Sequence, residues 1–325
     1  MPEASKANVR KVSLQERTLP VGNVVGINGY RVNKATFRKS IEDEGHYIYE
    51  TPHFFVVMRS TFPSVIVIHW FAPEELDARL GDYILQELKP LGILTDTRDF
   101  DDVFGAVVGS LFPHETQQAW YIYTANTFRQ FLFLTKSASP LTLNSTIDTF
   151  AILYRRVYAL QRGESFLDAG CSSGFLPLLM KERFPSLSTI VGVDIRPHPF
   201  ATARMLAEEY KLENIQFVQA DLLSDTFSTV GSFDTVTLLH VLEHFSEQAM
   251  YTVLTNLLAV TRQRLIIAVP YEHGKAEMVY GHEQIFSQTK LEAVGKWCLE
   301  QLNEGGTIEY EDCADGLLVI ERTRL

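Results

Sequence analysis

Three acids and a run of small residues stand where they could hold a nucleoside-type ligand. In Phe166-Leu167-Asp168-Ala169-Gly170-Cys171-Ser172-Ser173-Gly174 an apolar run passes into a turn and then into a helical pattern. Asp194 closes the next apolar run, 20 positions after Gly174, and Asp221 closes the third, in QADLL. Small residues let the backbone approach a ligand, and Gly170 and Gly174 can take dihedrals that other residues avoid. An acid at the end of the second strand accepts hydrogen bonds from ribose hydroxyls, and one at the end of the third can reach an adenine amine. Each feature alone also reads as a plain turn or a helix cap. Three of them at successive strand ends read as one site. A dinucleotide loop, GxGxxG, cradles a pyrophosphate. This loop begins with Asp168 and has serine where a glycine is usual, so it would repel a pyrophosphate and suits a ligand bearing an ammonium.

A second group is His240-Val241-Leu242-Glu243-His244. As HxxEH it matches a zinc-protease pattern, but it follows a buried strand rather than sitting within a protease helix. Neutral histidine suits removal of a proton from a hydroxyl or amine. His240 is the better candidate base, because strand carboxyl ends face the site, and His244 is the second. Tyr271, His273, Tyr280 and His282 follow the fifth strand-like run and are candidate substrate contacts.

The elements that position these residues divide near residue 140. Residues 141–325 alternate strands with helices, which calls for a parallel sheet covered on both faces. Residues 139–163 read as a loop and a helix capped by Asn144 or Ser145. At the end, TIEYEDC and GLLVIER are separated by Ala314-Asp315-Gly316, a turn so short that the two runs must pair antiparallel. Residues 1–140 read as an α+β domain with an antiparallel sheet. There, 23–32 reads as a strand, 33–45 as a helix stopped by Gly45, and 62–64 as a turn between two strands. Residues 73–92 read as a helix and 102–112 as a strand, while 115–135 fits either. Phe54, Phe55, Trp70 and Phe71 read as core.

With those motifs in place, residues 164–325 resemble a class I S-adenosyl-L-methionine-dependent methyltransferase. The family's E/DxGxGxG loop is matched by DAGCSSG, with Ser172 departing from glycine. FDTVTLLHVLEHF (233–245) resembles its fourth-strand motif, and the closing hairpin its sixth and seventh strands. The resemblance implies an α/β Rossmann-like sheet, mostly parallel with an antiparallel last strand. It implies S-adenosyl-L-methionine as cofactor, held by Asp168, Gly170, Cys171, Ser172, Gly174, Asp194, Ile195, Asp221, Leu222 and His240. The methionine portion would lie on Asp168, Gly170 and Gly174, the ribose on Asp194, and the adenine on Asp221 with Leu222. Some O-methyltransferases of small molecules and RNA ends are similar in carrying ExxEH plus a later His around a divalent ion. That variant would use His240, Glu243 and His244, with His273 or His282 as the later ligand. The metal-free form is the primary expectation. In the enzyme, the N-terminal α+β domain of residues 1–140 would cap the substrate or mediate dimerisation; a non-catalytic scaffold that binds the cofactor, or has lost it, is the remaining alternative.

Composition narrows the partners. Of 325 residues, 29 are Lys or Arg and 40 are Asp or Glu, a net charge of −11 that argues against a broad nucleic-acid footprint. The eight Lys and Arg of residues 1–40 read as a frayed terminus. No apolar run approaches the roughly 18 residues of a membrane span. The start has no apolar leader, and three cysteines make neither a disulfide framework nor a thiolate zinc site. The expectation is a cytoplasmic enzyme acting on a small-molecule methyl acceptor, with no nucleic acid or membrane partner and with room for a homodimer.

Overall fold

The computed structural model describes residues 10–14, 28–31, 41–59, 65–94, 96–112, 114–137, 139–272, 280–302 and 305–323. The chain forms two units, Met1–Thr127 and Phe128–Leu325. In the first, β1 (Arg10–Leu14), β2 (Asn28–Arg31), β3 (Ile41–Glu50), β4 (Phe54–Arg59) and β5 (Val65–His69) form a sheet of order β1-β3-β4-β5-β2. Its neighbours are antiparallel except β2 with β5. Helices α1 (Arg79–Leu88) and α2 (Thr97–Gly109) contribute Leu80, Ile84, Leu88, Val103, Val107 and Val108 to a core shared with Phe54, Val56, Val67 and Phe71. Phe55 is buried too, so Phe54, Phe55 and Phe71 are core as expected, while Trp70 is half-buried and packs on Phe55 at 5.4 Å.

Two expectations fail here. Residues 41–45 open β3 rather than ending a helix. Residues 102–109, read as a strand from their β-branched content, lie in α2. Asp96 caps that helix by accepting from the Asp99 N–H at 3.0 Å, and Val103 with Val107 share one face. Position on a capped amphipathic helix outweighs the weak strand propensity of valine. The ambiguous stretch is helix α3 (Thr116–Lys136). The 62–64 turn lies outside the described residues, and of 23–32 only 28–31 is described as strand.

The second unit begins its regular part with α4 (Thr146–Leu160), capped by Ser145, which accepts from the Asp148 N–H. Then follow β6 (Ser165–Ala169), α5 (Phe175–Arg183), β7 (Thr189–Asp194), α6 (Phe200–Glu209), β8 (Ile215–Gln219), β9 (Phe233–Leu239), α7 (Glu247–Val260), β10 (Thr261–Val269), α8 (Gln288–Gln301), β11 (Gly306–Cys313) and β12 (Asp315–Arg322). The sheet order is β11-β12-β10-β9-β6-β7-β8, parallel throughout except for β12, which is antiparallel to both β10 and β11. Every residue of β6 and β9 is buried, which is why these strands carry no polar alternation. Each fully buried Leu, Val or Phe there contributes about 1.5–3 kcal/mol. The chain winds from β6 outward to β7 and β8, then returns to β9 on the other side of β6. The crevice at the carboxyl ends of β6 and β9 is the topological switch point where ligands bind in such sheets.

The opposite end of the sheet is pinned by Asp234. Its carboxylate accepts from the Glu164 and Ser165 N–H groups and from Arg262 and Gln263 side chains, at 2.8–3.1 Å. Burial works against its ionisation, but these donors hold it well below the usual carboxylate range. Among the described residues no helix is long and apolar enough to cross a membrane.

Candidate functional site

The glycine loop leaves β6 at the switch point. The N–H groups of Gly170 and Cys171 both donate to Val193 O, at 2.8 and 2.9 Å, tying the loop to the end of β7. Gly174 starts α5 with φ 72°, and a Cβ there would stand 2.4 Å from the Phe217 ring. Only glycine serves both demands. Ser172 also takes a left-handed φ of 47°, and its N–H donates to Asp194 Oδ2 at 2.9 Å. That bond offsets part of the roughly 1–3 kcal/mol cost of a non-glycine residue in this region.

Asp168 is buried at the base of the loop and accepts from Thr237 Oγ1 at 2.7 Å. Burial pushes its pKa up to about 7, against the Thr237 hydrogen bond and with help from the Asp194 charge. A carboxylate so placed gains from a cationic neighbour. Cys171 sits beside it, and burial holds its thiol far above the ordinary range, so it serves as a small buried group rather than a nucleophile.

Asp194 ends β7 with Oδ1 accepting from the Arg196 N–H and Oδ2 from Ser172, leaving further lone pairs for hydroxyl donors. Next to it Ile195 is 59% exposed, unusual for so apolar a side chain. Asp221 is exposed after β8 and accepts from the Leu223 N–H at 2.8 Å. Leu222 points into the core, whereas Leu223 is exposed. Acids at the ends of β6 and β7 and just beyond β8, two apolar side chains beside them and a tight glycine cradle fit a nucleoside that carries a free amino acid, such as S-adenosyl-L-methionine.

His240 follows β9 in a left-handed conformation, φ 52°, with its N–H donating to Ala268 O at 2.9 Å. Its ring lies 4.8 Å from the Phe150 ring, and Nε2 is 2.9 Å from Asp315 Oδ2. Glu243 is 1% exposed, and neither carboxylate oxygen makes a hydrogen bond. Burial raises its pKa to about 7; His240 opposes the shift, and Glu272 and Asp315 add to it. Ligand atoms of Glu243, His244 and His282 lie within 4.8 Å of one another. His240 is outside that set. His282 Nδ1 is 2.6 Å from Glu272 Oε1, and His244 Nδ1 is 3.2 Å from Gly281 O. Tyr271 packs against Gly316, Tyr280 stacks on His282 at 5.7 Å, and His273 lies outside the described residues.

The sequence reading missed Thr237, Phe150 and Asp315. Thr237 reads as one residue of a strand, Phe150 as a helical apolar residue and Asp315 as part of a turn. No local signal marks any of them.

A family model described as a methyltransferase domain matches residues 166–264. Ubiquinone biosynthesis O-methyltransferase of Acinetobacter baumannii (strain AYE) is 29% identical over 87 residues, 27% of this chain and 35% of that protein. The chain thus spans about a third of the length of the curated relatives it matches. Among solved structures, the methyltransferase domain of bacterial CtHen1 is 19% identical with a TM-score of 0.44, covering 54% of this chain and all of that one. Magnesium protoporphyrin IX methyltransferase of Synechocystis PCC 6803 with bound SAM is 18% identical with a TM-score of 0.41, covering 60% of this chain and 91% of that one.

Proposed function

We propose that this chain transfers a methyl group from S-adenosyl-L-methionine to a small organic acceptor, a reading supported by the methyltransferase-domain model that matches residues 166–264. The observation that carries the reading is the set of Asp168, Asp194 and Asp221 beside successive strand ends around a glycine cradle. When bound, the cofactor supplies an electrophilic methyl carbon on its sulfonium. Asp168 holds the ammonium, Asp194 the ribose hydroxyls and Asp221 the adenine amine. The loop from Gly170 through Cys171 and Ser172 to Gly174 gives close backbone, Ile195 and Leu223 flank the base, and Leu222 contributes through its main chain.

His240, next to the end of β9, accepts the proton that leaves the acceptor's hydroxyl or amine; His244 is the second candidate base. Alignment of the nucleophile supplies much of the remaining rate. The net charge of −11, the carboxylates Glu243 and Asp315 beside His240, and Glu272 acting on Glu243 favour a small acceptor over a polyanion.

A second reading is metal assistance, favoured by the two buried, unbonded oxygens of Glu243 beside His244 and His282. A carboxylate with two imidazoles suits a divalent ion that would orient an acceptor hydroxyl. In this form the ligands are Glu243, His244 and His282 rather than His240.

Calorimetric titration of chelator-treated protein with S-adenosylhomocysteine tests both. Micromolar binding that weakens at least about tenfold, about 1.4 kcal/mol, in Asp194→Ala is the expected result. Absence of binding would overturn the reading in favour of a scaffold. Binding of Mn²⁺, seen by electron paramagnetic resonance and lost in Glu243→Gln, would support the metal form, and no such binding would remove it.

A further inference from the structure

We propose that Asp315 is a positioning residue for His240, fixing which imidazole nitrogen faces the acceptor. The inference rests on the reading of His240 as the proton acceptor. The two residues are 75 positions apart and meet only through sheet topology. Because β12 runs antiparallel to β10, its first residues lie where the parallel strands end, with Gly316 opposite Val269. The turn before it is one residue long: Cys313 pairs with Asp315, and Ala314 makes the reversal at φ 65°. A Cβ on Gly316 would stand 2.3 Å from the Tyr271 ring, so the bare Cα lets that ring lie against the strand and support the turn. Asp315 therefore reaches the site from a rigid hairpin rather than from a loop.

Its carboxylate Oδ2 stands 2.9 Å from His240 Nε2, off the line of an ideal hydrogen bond, and both atoms are buried with no hydrogen bond elsewhere. Two lone pairs facing each other at that distance, out of reach of water, would repel. The hydrogen of a neutral imidazole therefore belongs on Nε2, and the lone pair is left on Nδ1. The Glu243 carboxylate is 4.0 Å from Nδ1, too far to claim it as a hydrogen bond. Phe150 flanks the ring at 4.8 Å and restricts its rotation. A carboxylate orienting an imidazole whose other nitrogen takes a proton is the arrangement that recurs wherever histidine serves as a base.

The test is nitrogen-15 NMR of the histidine side chains in the full chain with saturating S-adenosylhomocysteine, at a single pH. The His240 signal is assigned by its loss in His240→Gln. The expected signature is the Nε2–H form in the native protein. In Asp315→Ala the single Nε2–H form should give way to an exchanging mixture of the two tautomers, while Asp315→Asn, whose amide oxygen still accepts from Nε2–H, and Asp315→Glu should keep Nε2–H. An Nδ1–H signature in the native protein, or a pure Nε2–H signature unchanged in Asp315→Ala, would overturn the proposal. The native spectrum needs no variant to fold. The readout also needs neither acceptor nor turnover, so a negative result removes the positioning role while S-adenosylhomocysteine binding, and the cofactor reading with it, still stands.

Discussion

Asp168 is the residue whose protonation bears most directly on a cationic ligand in the glycine loop. Buried under the loop, it has a pKa of about 7 rather than the ordinary carboxylate value, with burial as the main cause. The sign follows from which form the cofactor needs. An ammonium pairs with the ionised form, so protons compete with the ligand below pH 7 and cease to compete above it. Affinity for S-adenosylhomocysteine should therefore weaken by up to about tenfold per pH unit as pH falls below 7. Asp168→Asn should bind weakly with little pH dependence, as measured by titration calorimetry between pH 5.5 and 8. A native affinity flat across that range would show that Asp168 does not hold the ammonium. Without ligand the same shift acts the other way. The folded state keeps a proton that the unfolded chain has released, so this residue's contribution to stability falls as pH rises from about 4 to about 7.

At the scale of elements, the connection from β6 to α5 does two jobs with one glycine. Gly174 starts the helix in a left-handed conformation and lies against the Phe217 ring of β8, while Ala203 of α6 closes the same space. Gly174→Ala adds backbone strain of about 1–2 kcal/mol and a steric clash of about 1–3 kcal/mol. Urea denaturation should show a loss of about 2–5 kcal/mol, and cofactor affinity should fall because the loop shifts with the helix. A variant as stable as the native chain would mean that the cradle is looser than its contacts indicate. Such a turn is legible in sequence, since glycine after a buried strand and before a helical pattern has few other uses. The hairpin of β11 and β12 was legible as a hairpin. That its first residue on the return reaches His240 was not, because the pairing partner of β12 is set by long-range register.

On the scale of the whole molecule, the two units have separate cores, one built on a mainly antiparallel sheet and one on a mostly parallel sheet. The cofactor residues all belong to Phe128–Leu325. Ligand binding should stabilise that unit by about 2.7 kcal/mol at a hundredfold excess over Kd. Hydrogen exchange with and without S-adenosylhomocysteine should show the added protection in β6, β7 and β9, with little change in β3 to β5. Equal protection in both units would mean that they unfold as one. The sequence by itself determined the alternation of strands and helices from residue 164 onward, the glycine loop and the acids that follow the first three strands of that sheet. Those features are local, written in periodicity and in residue types with few alternative uses. It misread residues 41–45, whose acids suit a helix but which open a strand paired through Ile41 with Leu14, and residues 102–109, an apolar segment that fits helix and strand alike until its cap and neighbouring surfaces choose. Only the tertiary structure decided that Thr237 bonds Asp168, that His282 rather than His240 joins Glu243 and His244, and that Asp315 faces His240. Each of those pairings joins residues far apart in the chain or set by strand register, and no local rule of spacing encodes which strand ends will meet.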